Sequence, residues 1–256
     1  MTVSNPVLVP LAPRLAPRVR LYCVPYGGAG PEIFRKWGDL LPDSVEPVAV
    51  HLPGRGSRAD EPCATDPRPL VRILADVIAA DTRRDLPVAL FGHCVGAILA
   101  FETARRLRRV HRIVPLLLAV SALPPPHRYA EEYRSSLFRS LMGGTDVMPE
   151  YIQWVAQHIE ATPQAANTVG TTLLADILLG MQYRYQEDLP LEADLSVFAG
   201  RDDAVAPPEQ MDDWESHATG RTHVHLHPGR HLFLNERLTE LTAELAADLR
   251  SARGVG

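Results

Sequence analysis

No apolar run in this chain reaches the roughly 20 residues that a membrane-spanning helix requires. There is no internal repeat and no low-complexity tract to suggest a solenoid or a disordered tail. The first residues, "MTVSNPVLVPLAPRLAPRVR", are broken by proline and arginine and lack the unbroken apolar stretch of a secretion signal. They read as a flexible leader over residues 1–19. Only three cysteines occur, Cys23, Cys63 and Cys94, in none of the CxxC or Cys/His spacings that hold a metal. An odd count without a signal peptide implies free thiols in a reducing, cytoplasmic setting. Basic residues are not in excess: the net charge is −5, which argues against nucleic acid as a partner. No membrane, metal or cofactor is expected.

What remains is 256 residues with 46% hydrophobic content, enough for one large domain over residues 20–256. Short apolar runs, "RVRLYCV", "EPVAVHL", "LPVALFG" and "RIVPLLLAVSAL", alternate with segments whose apolar residues fall at helical spacing. Such segments include "PEIFRKWGDLLP" and "RPLVRILADVIAADTRR". The alternation predicts an α/β fold, a mostly parallel sheet with helices on both faces. After Pro126 it breaks. Residues from about 127 to 188 show no strand pattern and predict a helical lid, with apolar residues such as Leu137, Trp154 and Leu178 beyond what a solvent-facing insertion needs. The rhythm returns with strand "ADLSVFAGRDD", helix "PPEQMDDWESHA", strand "RTHVHLHPG" and a last helix from about Leu232 to Ser251.

Gly92-His93-Cys94-Val95-Gly96 lies between a buried strand and a helix. This is G-x-C-x-G, the spacing of a nucleophile elbow, in which small residues flank a strained turn that lifts the nucleophile above the sheet. A buried structural thiol would not require glycines at this spacing, so Cys94 is the expected nucleophile. The Val95 N–H, opening the helix, is a candidate oxyanion donor. A thiol of this kind needs a base, and the base an orienting acid, in the chain order nucleophile, acid, histidine. His223, His225 and His227 alternate along a strand and share a face; His231 lies past the Pro228-Gly229 turn, where a base would project toward the elbow. The acid is expected after the preceding strand, at Asp202 or Asp203. The second oxyanion donor is expected in the turn "PYGGAG".

Taken together, "VPYGGAGPEIFRKWGDLLP", "VAVHLPGRGSR", "ALFGHCVGAILAFETARRL", "AGRDDAVAPPEQMDDW" and "HPGRHLFLNE" resemble the type II thioesterases, the stand-alone proofreading enzymes of polyketide and nonribosomal peptide assembly lines. The resemblance runs from Leu21 to the last helix, and "LLADILLGMQYRY" looks like that family's lid segment, with Asp176 in its acidic position. It implies an α/β-hydrolase fold, Cys94 as nucleophile, His231 as base and, by the G-x-x-D register, Asp203 as acid. The oxyanion amides fall on Val95 and Gly27. It also implies an acyl thioester substrate on the phosphopantetheine arm of an acyl or peptidyl carrier protein, a monomer, and no cofactor of its own. Cys94 stands where the family usually has Ser, Val95 where it has Met, and "GRHLFL" where it has GGHFFL. Two other readings remain at this level: a Cys-dependent hydrolase of a small lactone or ester, akin to dienelactone hydrolases, and a carrier-protein-docking protein with little activity.

Overall fold

The computed structural model describes residues 6–82, 86–129 and 163–252. Seven strands form one sheet: β1 (Leu8–Pro10), β2 (Val19–Val24), β3 (Val45–Val50), β4 (Val88–His93), β5 (Leu117–Ser121), β6 (Asp194–Gly200) and β7 (Thr222–His227). Their spatial order is β1-β3-β2-β4-β5-β6-β7, with β1 antiparallel to β3 and every other pair parallel. The principal helices among the described residues are α1 (Trp37–Leu40), α2 (Pro67–Asp81), α3 (Val95–Arg106), α4 (Pro163–Gln182) and α5 (Leu238–Ser251).

The period-2 geometry of β4 explains the layering. Val88 and Leu90 point into one core with Leu74, Ile78 and Ile98 of α2 and α3. Ala89 and Phe91 point into the other, with Trp37 of α1 and Leu241 and Leu245 of α5. Both faces being covered, the central strands read as continuous apolar runs rather than alternating ones. Phe34, Trp37 and Phe91 meet edge to face, with ring centroids 4.8–6.1 Å apart. Each such pair adds about 0.5–1.5 kcal/mol beyond its area burial. Helix α2 starts where its sequence dictates: Asp66 accepts the Arg68 N–H at 2.9 Å as N-cap, and Pro67 occupies the first turn, where no N–H is missed.

Four local expectations differ. The sheet begins inside the stretch read as a leader, because Leu8–Pro10 pairs with Val48–Val50 and buries Leu8. That strand is too short and too proline-flanked to show a periodicity. "PEIFRKWGDLLP" is a 3₁₀ turn, Pro31–Phe34, followed by the single turn α1, and "PPEQMDDWESHA" is two 3₁₀ segments, Pro208–Gln210 and Asp212–His217. The last helix is divided at Arg237 into Phe233–Glu236 and α5. Within the lid segment, Leu137 and Trp154 lie outside the described residues, and Leu178 is 40% exposed.

Chain order turns back between β2 and β4: the chain leaves β2 for β3 on one side and returns to β4 on the other. In an open parallel sheet such a reversal opens a crevice at the carboxyl ends of the strands. The loops after β2, β4, β6 and β7 all emerge at that edge.

Candidate active site

Cys94 sits between β4 and α3 with φ 54° and ψ −126°, a conformation that L-residues avoid. Its N–H donates to the Ser121 carbonyl at 2.8 Å, and its carbonyl accepts from Ala97 at 2.8 Å, so the turn is held on both sides. The flanking glycines are sterically required. A Cβ on Gly92 would lie 2.2 Å from the Gly96 oxygen, and one on Gly96 would lie 2.4 Å from the Pro25 oxygen. Gly96 is therefore where α3 crosses the end of β2.

His231 follows β7 and is buried, 5% exposed. Its Nδ1 lies 2.9 Å from Asp203 Oδ2, and its ring also hydrogen-bonds the Cys94 side chain. The other Asp203 oxygen accepts the Val205 and Ala206 N–H groups at 2.8 and 3.0 Å. Asp202, by contrast, is exposed, and its amide donates to the Gly229 carbonyl. Of the two aspartates that the residue pattern left open, Asp203 is the one whose carboxylate meets the imidazole.

The electrostatics follow from this geometry. Burial alone would lower the pKa of His231, but the Asp203 charge and the Cys94 thiol beside it carry it well above its ordinary 6.5. Burial pushes Asp203 up, but the imidazole and two backbone N–H groups outweigh it and hold the carboxyl below the usual range. The site is thus arranged to hold a proton on His231 next to the sulfur.

His93, the variable residue of the elbow, had no role in the sequence reading. It is fully buried, with Nδ1 2.9 Å from Ser121 Oγ and Nε2 2.9 Å from the His231 carbonyl oxygen. Burial, together with the repulsion of His231, lowers its pKa to about 3. It is a neutral strut that fixes the backbone of His231 against β5.

The turn after β2 approaches the start of α3: a Cβ on Gly27 would lie 3.8 Å from Val95 Cγ1. Helix α4 roofs this point. Asp176 accepts the Gly28 N–H at 2.7 Å and takes Arg55 in a bidentate pair, 2.8 and 2.9 Å, while Arg55 also donates to the Ala29 carbonyl at 2.8 Å. Both side chains are buried, 5% and 3% exposed. Arg55, from "HLPGRG", was not singled out in the sequence; its partner is 121 residues away, beyond any local signal.

A model of the thioesterase domain matches residues 19–249. The chain belongs to the thioesterase family. It is 28% identical over 244 residues to the gramicidin S biosynthesis protein GrsT of Aneurinibacillus migulanus, covering 92% of this chain and 90% of that one. It is 29% identical over 247 residues to the thioesterase PikA5 of Streptomyces venezuelae, covering 92% and 83%. Among solved structures, the type II thioesterase BorB from the borrelidin biosynthetic cluster superposes with a TM-score of 0.81 at 26% identity, over 98% of this chain and 100% of that one. This thioesterase therefore shares the α/β-hydrolase fold of the stand-alone type II enzymes. Among its described residues no helix is long and apolar enough to cross a membrane.

Proposed function

We propose that Cys94, His231 and Asp203 form a catalytic triad that releases acyl groups from carrier-protein thioesters through a covalent acyl-Cys94 intermediate. The observation that carries this reading is the unbroken chain from Cys94 through His231 to Asp203 at a strained elbow. His231 holds the Cys94 proton, and the sulfur attacks the acyl carbonyl carbon. The carbonyl oxygen gains negative charge opposite the Val95 and Gly27 amides. The carbon–sulfur bond to the phosphopantetheine arm breaks, and the departing thiolate takes the proton from His231. An acceptor, water or an amine or hydroxyl, then gives its proton to His231 and attacks the acyl-Cys94. The freed Cys94 sulfur recovers that proton.

The carrier-bound substrate is inferred from relatives named for gramicidin S biosynthesis and the borrelidin cluster. Sulfur shapes the outcome. A thioester exchanged for a thioester is near thermoneutral, so acylation of Cys94 is reversible and the acyl group stays activated, whereas a serine would trap it as an oxoester. This supports transfer or ring closure beside hydrolysis. The retained Asp203–His231 pair speaks against an inert docking protein.

Intact-protein mass spectrometry after mixing with acyl-pantetheine and acyl-carrier thioesters tests the reading. An acyl adduct is expected on the native protein and none on Cys94→Ala. An equal adduct on Cys94→Ala, or turnover confined to small lactones, would overturn it.

A further inference from the structure

We propose that His223, His225 and Asp248, at the outer edge of the sheet, form a binding site for a divalent transition metal of the zinc class, which clamps helix α5 onto the edge strand β7. Alternate residues of a strand share a face. His223, His225 and His227 therefore project together toward α5, while Val224 and Leu226 face solvent, 39% and 44% exposed. Helix α5 answers with Glu244 and Asp248, four residues apart and so on one face. His223 Nδ1 lies 2.6 Å from Asp248 Oδ1, and His225 Nε2 lies 2.7 Å from Asp248 Oδ2. One donor atom from each of the three residues falls within 4.8 Å of the other two.

Two imidazole nitrogens and a carboxylate oxygen are the donor set of zinc and its neighbours. At metal–ligand bonds of about 2.0–2.1 Å, tetrahedral donors stand roughly 3.3 Å apart. To reach that spacing the two hydrogen bonds to Asp248 need to open by about 0.6–0.7 Å, and the donor atoms that stand farthest apart, within 4.8 Å, need to close; the His223 side chain, 42% exposed, has room to turn. The surroundings match the outer partners that metal ligands usually have. Ser196 Oγ donates to Asp248 Oδ2 at 2.6 Å and fixes the carboxylate. The second nitrogen of His225, Nδ1, faces Glu244 Oε2 at 3.5 Å, the carboxylate–imidazole–metal arrangement. A second observation comes from the same pocket. His227 Nε2 and Glu244 Oε2 approach to 3.0 Å, yet both atoms are buried without a well-formed hydrogen bond. An imidazole nitrogen and a carboxylate oxygen thus lie beside the triplet in poor hydrogen-bond geometry with each other.

The chain between β7 and α5 carries His231, so a metal here braces the loop of the proposed base from both ends without touching the reacting atoms. The same side chains can hold one another by hydrogen bonds alone, and the experiment separates the two. Protein freed of metal by chelation, in a Cys63→Ser, Cys94→Ala background that removes the two free thiols that are not buried, is titrated with zinc by equilibrium dialysis and with cobalt by absorption spectroscopy. One equivalent of zinc is expected, with a dissociation constant at or below about 10 µM, and cobalt should give a spectrum of nitrogen and oxygen ligation. His223→Ala, a partly exposed position that leaves the core intact, should weaken zinc at least about 10-fold, as should His225→Ala. Zinc should also raise the melting temperature of the parent protein by on the order of 5 °C at 100 times the dissociation constant, and not that of His223→Ala. Absence of binding at about 100 µM zinc, or equal affinity in parent and His223→Ala, would overturn the proposal.

Discussion

Replacing Asp176 by Ala should couple a loss of stability to a loss of turnover, and the structure gives both sizes. The carboxylate neutralises Arg55, buried to 5% exposure, and accepts the Gly28 N–H at 2.7 Å. Removing one partner of a buried ion pair leaves an uncompensated charge and costs about 3–5 kcal/mol. At about 2–4 °C per kcal/mol for a chain of this size, the melting temperature should fall by roughly 6–20 °C. The Gly28 amide adjoins Gly27, the proposed oxyanion donor, so slackening this turn should also cost up to about 10²–10³ in kcat, the value of one such donor. An apolar double replacement, Arg55→Met with Asp176→Leu, separates the effects. It removes both charges and should recover much of the stability. It cannot restore the hydrogen bond to Gly28, so kcat should stay low. Thermal unfolding and single-turnover acylation of the three proteins are the assays. If Asp176→Ala melts within about 2 °C of the parent and acylates at the parent rate, the pair neither supports the fold nor aligns the turn, and the reasoning fails.

Other outcomes follow from the same geometry. Asp203→Asn should reduce turnover by on the order of 10⁴, the cost of losing a triad acid, while Asp202→Asn should change it little; the reverse order would move the acid to Asp202. With His231 protonated above the ordinary imidazole range, alkylation of Cys94 by iodoacetamide at pH 6.5 should be markedly slower in His231→Ala. The stability contributed by His231 has a defined window. Its raised folded pKa makes the contribution complete below about pH 6.5 and lost as pH rises through that folded value. Asp203, lowered, contributes above about pH 3.9 and loses its share as pH falls through its own folded value. The difference in unfolding free energy between the parent and His231→Ala should therefore peak in mildly acid solution and shrink toward alkaline pH. Cys94→Ser should acylate more slowly and shift product from transfer to hydrolysis; an unchanged product ratio, measured with an acceptor present, would remove any special role for sulfur.

The elbow could be read from the sequence because its constraints are local. Gly92 and Gly96 are forced by atoms a few residues away or at the end of the adjoining strand, and a strand followed by a helix is visible in periodicity. His231 was legible for the same reason: a Pro-Gly turn ends β7 and delivers one histidine beyond it, while the strand itself carries the other three. The sheet's layering was legible too, since burial on both faces turns central strands into unbroken apolar runs. What only the folded chain decided is what meets across distance. Asp202 and Asp203 differ by one position in a turn, and only the path of that turn buries one carboxylate against His231. Arg55 and Asp176, or His93 and the His231 carbonyl, are more than 100 residues apart and become neighbours because the sheet order folds distant loops to one edge. The short antiparallel β1 left no periodic trace, because three residues are fewer than two repeats of any pattern. The histidines of β7 showed their shared face in the sequence, but their partners on α5 belong to tertiary packing, and without Asp248 three alternating histidines specify nothing.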